Sequence, residues 1–322
     1  MIYSFEKDSV EFDDFVAVLS DQSFDYEVIK RDKIVVRIFG RIDDALKHRL
    51  DQISGRVSKL TMKKGQEATV SRYWPTDDEK LFVAGPCSVE SESQLDKTAG
   101  FLSGLGIKYL RGGAFKPRTN SNSFQGLGRE GLRIMAKVAS GHDMKVVTEV
   151  MDKSQLDDVV QYADIIQVGS RNMFNYSLLT ALGAVDKPVL LKRGMAATID
   201  EWAQASQYII KGGNGRVILC ERGIRTFEPR TRFTLDILAV PIAQKLTGLP
   251  VIVDVSHAAG ERSLVPPLVG AALAAGADGI MVEVHPDPEN ALSDGLQSLT
   301  HDDFKSVFRQ MQKAESTGKS TP

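Results

Sequence analysis

The chain has 322 residues, of which 42% are hydrophobic and 25% charged, and its formal net charge is −2 at pH 7. This length suits one barrel-sized domain with a smaller appendage, and the near-neutral charge gives no indication of a nucleic-acid partner. Because no basic leader and no run of about 18 uncharged apolar residues occur, we expect neither secretion nor membrane insertion, and the two cysteines indicate a reducing cytoplasm.

Residues 1–66 predict a small α+β domain. Apolar runs and amphipathic stretches follow one another in the order β-α-β-β-α-β, which is the split βαβ arrangement of ferredoxin-like domains. No predicted strand end here carries a group of catalytic side chains, so we expect either an oligomerisation module or a regulatory one. Residues 67–79 have no clear hydrophobic period and contain Pro75, and we interpret them as a linker.

Residues 80–322 predict a parallel sheet covered by helices. Near-continuous apolar runs predict strands at 81–85, 108–112, 145–150, 165–169, 188–193, 217–222, 251–256 and 279–284. Helix-period stretches lie between them, among them 91–106, 129–143, 198–213 and 230–248. Eight such units indicate a (β/α)8 TIM barrel, a fold that typically takes about 250 residues. A doubly wound sheet is the alternative, and the eight regular repeats favour the barrel.

Cations are concentrated where the predicted strands end. In a barrel of this kind, the loops after the carboxyl ends of the strands carry the chemistry. Arg matches phosphate and carboxylate groups by charge and by bidentate geometry. We therefore predict a site for polyanionic ligands from six cations: Arg111, Lys116, Arg118, Arg171, Lys192 and Arg222.

A thiol, an imidazole and two carboxylates fall on the same predicted rim. Cys87, His257 and Glu283 belong to the first, seventh and eighth strands, which are neighbours where the barrel closes, and Asp294 follows soon after. Taken alone, Cys87 is typical of a small buried hydrophobic residue, and His257 is typical of a structural histidine. Together, the S, N and O donors suit a divalent transition-metal ion. Cys220 lies inside a predicted strand, and we assign it to the core.

Eight motifs in order over residues 80–312 closely resemble the 3-deoxy-D-arabino-heptulosonate 7-phosphate (DAHP) synthases. They are AGPCSVES, LRGGAFKPRTNSNSFQGLG, VVTEVM, IIQVGSRNM, PVLLKRG, ILCERGIRTFEPRTRFTLD, VSHAAGERS and VEVHPDPENALSDGLQSL. The resemblance is to the type I beta branch, which is related to octulosonate 8-phosphate synthase. It implies a metal-dependent TIM barrel that condenses phosphoenolpyruvate with erythrose 4-phosphate, the first step of the shikimate pathway to aromatic amino acids.

The resemblance also implies roles for individual residues. The ligands of one divalent ion would be Cys87, His257, Glu283 and Asp294, with Mn²⁺ as the first choice and Fe²⁺, Co²⁺ and Zn²⁺ as alternatives. Substrate binding would fall to Arg111, Lys116, Arg118, Thr119, Gln167, Arg171, Lys192 and Arg222, with Arg118 and Thr119 on the aldose phosphate. The residues expected in catalysis are Lys116 as proton donor, Glu149 as a group that positions water, Asp254 and His257.

Two segments depart from the family pattern. Asn120, Ser121 and Asn122 replace a Ser-Pro-Tyr segment, and Val255 replaces a proline ahead of the predicted metal histidine. Because Asp254 and His257 are present, the second departure leaves the predicted metal site intact. The first bears on which aldose is used rather than on the type of reaction.

Three alternative functions follow from other interpretations of the same residues. A related synthase would use arabinose 5-phosphate, although the Lys-Pro-Arg-Thr segment argues against that branch. A Schiff-base aldolase would use Lys192, and a non-catalytic barrel would sense phospho-sugars. For the family reading we further expect a homo-oligomer, a dimer or tetramer, and feedback control through residues 1–66.

Overall fold

The computed structural model describes residues 2–5, 11–21, 26–30, 34–38, 46, 49–50, 53, 80–116 and 122–318. The chain divides into two compact units, Met1–Ala68 and Thr69–Pro322. Within the described residues, no helix is both long enough and apolar enough to cross a membrane.

The described part of the first unit is a three-stranded sheet with a helix. Its elements are β1 (Ile2–Phe5), α1 (Glu11–Asp21), β2 (Tyr26–Lys30) and β3 (Ile34–Ile38). The third strand lies between the other two and is antiparallel to both, as in a split βαβ unit. Phe15 and Leu19 of α1 pack with Val36 of β3, and the helical residues Leu46 and Leu50 join this core. The last strand predicted for this domain lies outside the described residues.

Eight parallel strands of the second unit close into a barrel in chain order, which confirms the predicted (β/α)8 fold. The strands are β4 (Leu81–Gly85), β5 (Tyr109–Arg111), β6 (Lys145–Val150), β7 (Ile165–Val168), β8 (Val189–Lys192), β9 (Val217–Glu221), β10 (Val251–Asp254) and β11 (Gly279–Glu283). Parallel pairing of β11 with β4 sets Glu283 opposite Gly85 and closes the barrel.

Helices follow the strands and pack against their outer faces. They are α2 (Glu92–Gly104), α3 (Arg129–Gly141), α4 (Leu156–Tyr162), α5 (Tyr176–Leu182), α6 (Ile199–Lys211), α7 (Ala239–Thr247), α8 (Val255–Ala259), α9 (Val265–Ala274) and α10 (His301–Gly318). The helix α6 begins with a capping box, in which Thr198 and Glu201 satisfy each other's backbone N–H groups.

Two cores account for the continuous apolar runs in the sequence. The inner core fills the barrel and consists of Leu81, Val83, Tyr109, Val147, Ile165, Leu190, Ile218, Cys220, Ile252 and Met281. Alternate strand residues, such as Phe82, Leu219 and Val253, belong to the outer core beneath the helices. Because both faces of each strand are buried, the strands cannot show a polar alternation. Cys220 lies in the inner core, in agreement with its assignment from sequence.

Candidate active site

A polar layer lies directly above the inner core. Side chains alternate along a strand with a period of two. The residue two positions after the last inner-core residue of each strand therefore faces the same interior. On seven of the eight described barrel strands this residue is polar or charged: Arg111, Glu149, Gln167, Lys192, Arg222, Asp254 and Glu283. On β4 the position is Gly85, and the chain continues to Cys87. The barrel register thus brings side chains from distant segments to one mouth.

Four predicted metal ligands lie close together in this mouth. Donor atoms of Cys87, Glu283 and Asp294 lie within 4.8 Å of one another. The Cys87 thiol donates a hydrogen bond to Asp294 Oδ2 at 3.3 Å. His257 Nε2 lies 3.6 Å from Glu283 Oε1 and 3.8 Å from Asp294 Oδ2. The structure therefore brings a thiol, an imidazole and two carboxylates into one small volume. We call these four residues, Cys87, His257, Glu283 and Asp294, the cluster.

A tight turn after β11 returns Asp294 to this volume. Asp294 itself has a positive φ of 49°. A Cβ at Gly295 would lie 2.2 Å from the backbone oxygen of Pro288, so the close approach requires glycine. The backbone N–H of Leu299 then donates to Glu283 O at 2.9 Å and ties the end of the turn to the strand.

The two carboxylates of the cluster are held in their ionised form. Burial opposes ionisation of Glu283, but neighbouring positive charge, that of Arg111 included, outweighs it and lowers the pKa; Arg111 Nη1 lies 2.8 Å from Glu283 Oε1. Burial likewise opposes ionisation of Asp294, but neighbouring positive charges, Arg232 and Lys116 among them, bring its pKa down to about 2. The cluster itself therefore contains two negatively charged carboxylates near neutral pH.

The imidazole and the thiol complete a donor set that fits a metal ion. Burial lowers the pKa of His257 against the opposing effect of Asp254 and Glu283, which favours the neutral ring that binds metals. Burial, with the charge of Glu283, raises the pKa of the Cys87 thiol to about 12. Metal binding would displace that proton. Two carboxylates, a neutral imidazole and a thiol suit a divalent transition-metal ion, so these residues form a candidate metal site.

Asp254 lies against the imidazole of His257. His257 Nδ1 lies 2.8 Å from Asp254 Oδ2, and Lys192 Nζ contacts the same oxygen. The backbone N–H of His257 donates to Asp254 Oδ1 at 3.1 Å, because Asp254 caps the short helix α8. The Asp254 carboxylate thus lies beside Nδ1, while Nε2 lies toward Glu283 and Asp294 of the cluster.

A cavity of about 390 Å³ opens beside the cluster. His257 and Asp294 belong both to the cluster and to its wall. Among the described residues, the cations that line it are Lys116, Arg171, Lys192, Arg222, Arg225 and Arg232. The carboxylates that line it are Glu149 and Asp294. This excess of cations suits anionic ligands.

Lys116 links the cations to the cluster. Its Nζ donates to Cys87 Sγ at 2.9 Å and to Cys87 O at 3.1 Å. A Cβ at Gly113 would lie 2.8 Å from Lys116 Cδ and 3.0 Å from Cys87 O, so the glycine makes room for this contact. The ammonium group therefore reaches the cluster and the cavity together.

The cavity wall also contains residues that the sequence did not predict for the site, among them Arg225, Arg232 and Phe233. For Arg232 and Phe233 the cause is a wrong prediction, because the helix expected over 230–248 begins only at Ala239. Thr234 instead exchanges backbone hydrogen bonds with Ile224, each at 2.9 Å, in an isolated antiparallel bridge. These long-range contacts override the local helical period. The repeated arginines after Arg222 were the available signal.

Other predicted site residues lie behind the cavity wall or outside the described residues. Arg111 is buried and bonded to Glu283, and Gln167 Nε2 donates to Glu149 Oε2 at 3.1 Å; neither lines the cavity. Arg118 and Thr119 fall outside the described residues, as do Asn120 and Ser121 of the altered loop.

Barrel enzymes carry their catalytic groups at the carboxyl ends of the strands, where this chain gathers its polar residues. Fold and site together define a (β/α)8-barrel enzyme for anionic small molecules. Residues 52–320 match the profile of the DAHP synthetase I family, and the chain belongs to that family.

Individual relatives agree with this membership. The chain is 56% identical over 231 residues to a Thermotoga maritima protein named phospho-2-dehydro-3-deoxyheptonate aldolase, covering 72% of this chain and 68% of the relative. The crystal structure of a T. maritima protein with that name, also called DAHP synthase, matches with a TM-score of 0.75 and 42% identity over 98% of both chains. A 2-dehydro-3-deoxyphosphooctonate aldolase of Nitrobacter hamburgensis is 31% identical, over 74% of this chain and 88% of the relative.

Proposed function

We propose that the chain condenses phosphoenolpyruvate, erythrose 4-phosphate and water into 3-deoxy-D-arabino-heptulosonate 7-phosphate and phosphate, the first step of the shikimate pathway. The observation that carries this proposal is a single cavity that joins a ring of cations to the thiol, imidazole and carboxylate cluster. Two anionic substrates repel each other, and preorganised cations offset that repulsion. Family membership and the name of the 56% identical relative support the same reaction.

The reaction needs an activated aldehyde and a water molecule. C3 of phosphoenolpyruvate forms a bond to the aldehyde carbon, whose oxygen takes up a proton. Water adds to C2 with loss of a proton and leaves a hydroxyl there. That hydroxyl then gives its proton to the departing phosphate as the bond from C2 to the phosphate oxygen breaks, which leaves a ketone and free phosphate. A divalent ion held by Cys87, His257, Glu283 and Asp294, with Mn²⁺ as our first choice, would supply Lewis-acid polarisation of the aldehyde oxygen.

Residues of the chain would perform the binding and the proton transfers. We assign phosphoenolpyruvate to Arg111, Lys116, Arg171, Lys192 and Arg222, with Gln167 in support. Lys116 is the proton donor to the new hydroxyl, because its ammonium group lies at both the cluster and the cavity. Glu149 lines the cavity and accepts from Gln167, so it can hold the attacking water. Asp254 keeps His257 oriented.

The aldose phosphate is assigned to Arg118 and Thr119, with Asn120, Ser121 and Asn122 shaping the pocket. The test is a phosphate-release assay with phosphoenolpyruvate and a panel of aldoses. We expect erythrose 4-phosphate to be preferred over arabinose 5-phosphate by more than about tenfold, or about 1.4 kcal/mol. The reverse preference would assign the chain to the octulosonate reaction, the name carried by its 31% identical relatives. No phosphate release with any aldose would refute the proposed reaction.

The compartment and assembly state are proposed with the reaction. Two free, buried cysteines, Cys87 and Cys220, are consistent with the cytoplasm. Leu238, at the N-cap of α7, and Ile242 and Leu246 within the helix are exposed at every fourth position, which supports a homo-oligomer.

A further inference from the structure

A buried amide connects the two halves of the candidate site. Gln297 is 2% exposed. Its Nε2 donates to Glu283 Oε2 at 2.5 Å, and its Oε1 accepts from Arg232 Nη1 at 2.5 Å. Glu283 belongs to the cluster and Arg232 lines the cavity. Gln297 therefore lies between a predicted metal ligand and a cation of the anion pocket.

The charges of the two partners determine the orientation of the amide. A carboxylate only accepts hydrogen bonds and a guanidinium only donates them, so a flipped amide would lose both contacts. A glutamate at this position would face Glu283 with like charge, and a methionine would bond to neither partner. Gln is thus the residue type of this length that satisfies both neighbours.

The amide also completes the fixation of the Glu283 carboxylate. Arg111 Nη1 holds Oε1 at 2.8 Å, and Gln297 holds Oε2, so the carboxylate cannot rotate without losing a bond. The backbone that carries Gln297 is itself anchored, since Arg262 Nε donates to Ser298 O at 2.8 Å. Gln297 therefore donates its hydrogen bond to Glu283 from a fixed position on the backbone.

We propose that Gln297 is a positioning residue that orients the Glu283 carboxylate toward the other metal ligands of the cluster while it holds Arg232 at the edge of the cavity. This inference rests on the metal ligands named in the proposed function. Groups that hydrogen-bond to a metal ligand set its orientation, and their loss typically lowers metal affinity by about 10- to 100-fold.

The test is the affinity of the purified full chain for Mn²⁺, measured by competition with a chelator. Gln297→Met should lower the affinity by about 10- to 100-fold and change the electron paramagnetic resonance spectrum of bound Mn²⁺. The matched control is Gln244→Met, because Gln244 Nε2 also donates to a carboxylate, that of Asp278, at 2.8 Å ahead of β11. The control should bind Mn²⁺ within about twofold of the native chain.

A Gln297→Met chain within twofold of the native affinity overturns the inference, as does an equal loss in both variants. If Gln297→Met does not fold, Gln297→Asn serves in its place, since its shorter amide cannot reach both partners. No Mn²⁺ binding by the native chain overturns both the ligand set and this role. The binding assay needs no turnover, so it separates the two proposals. If Mn²⁺ binding depends on Gln297 in a chain that forms no DAHP, the proposed reaction is refuted and the role of Gln297 stands.

Discussion

Arg222 is the cation whose side chain is most clearly prepared for an anion. It is 5% exposed, and its Cζ lies 3.9 Å from the centroid of the Phe233 ring. Within the described residues, its guanidinium makes one long hydrogen bond, from Nη1 to Gly223 O at 3.5 Å. Burial lowers its pKa. A buried guanidinium on an aromatic face keeps donors free for a phosphate or carboxylate.

Arg222→Ala should therefore raise the KM for phosphoenolpyruvate. The loss of a charge-assisted contact costs about 1.5–3 kcal/mol, or about 10- to 100-fold in kcat/KM. Arg216→Ala is the matched control, because Arg216 precedes the same strand at the opposite end and pairs with the exposed Asp186. Steady-state kinetics with each substrate varied in turn measure the effect. An unchanged KM for phosphoenolpyruvate in Arg222→Ala would remove this residue from the site.

Replacement of Cys87 tests whether this residue is a metal ligand or only a buried structural thiol. Chelation should abolish turnover and Mn²⁺ should restore it in the native chain, because two carboxylates and a thiol within 4.8 Å supply the ligands. In Cys87→Ala the restoration should be lost. Cys220→Ala removes the other described thiol, from the inner core, and should still respond to Mn²⁺. Full native activity after rigorous chelation contradicts the metal assignment.

At the level of elements, the barrel strands were predictable and the loop after β9 was not. Strands such as β6 and β11 are apolar on both faces, so their apolar runs match the strands closely. The loop depends on contacts with other segments. Arg193 Nη1 lies 2.9 Å from Glu221 Oε2 and 2.8 Å from Asp236 Oδ2. A local sequence pattern cannot predict such a pairing, because the three residues are far apart in the chain. The cluster could be predicted by family resemblance, whereas its distances depend on how the barrel closes.

The pairing of Arg193 with Glu221 and Asp236 should control the loop that carries Arg222, Arg225 and Arg232. Asp236→Ala removes one partner of Arg193 and should lower the free energy of unfolding by about 1–3 kcal/mol. It should also raise the KM for phosphoenolpyruvate several-fold, because the arginines lose their fixed positions. Asp302→Ala, which removes an exposed partner of Lys305 on α10, should change neither quantity. Reduced stability with an unchanged KM would limit the pairing to a structural role.

On the scale of the whole chain, the residues of the candidate site all belong to the second unit. The first unit has its own small core around Phe15 and Leu50. A separate core is compatible with a module that binds a ligand of its own. We propose that this unit mediates feedback by an aromatic end product, and the alternative is a role in oligomerisation.

Deletion of residues 1–75 distinguishes these two roles. The shortened chain should keep its condensation activity, because the described site residues lie within residues 80–318. An inhibitor acts through another site only by binding two states with different affinity, so loss of its binding unit should abolish inhibition. Phosphate release is measured with and without Tyr, Phe and Trp, after thermal unfolding has shown that the shortened chain folds. We expect inhibition of the full chain alone. Equal inhibition of both chains contradicts the regulatory role, and a full chain indifferent to all three, with a smaller assembly after deletion, assigns the unit to oligomerisation.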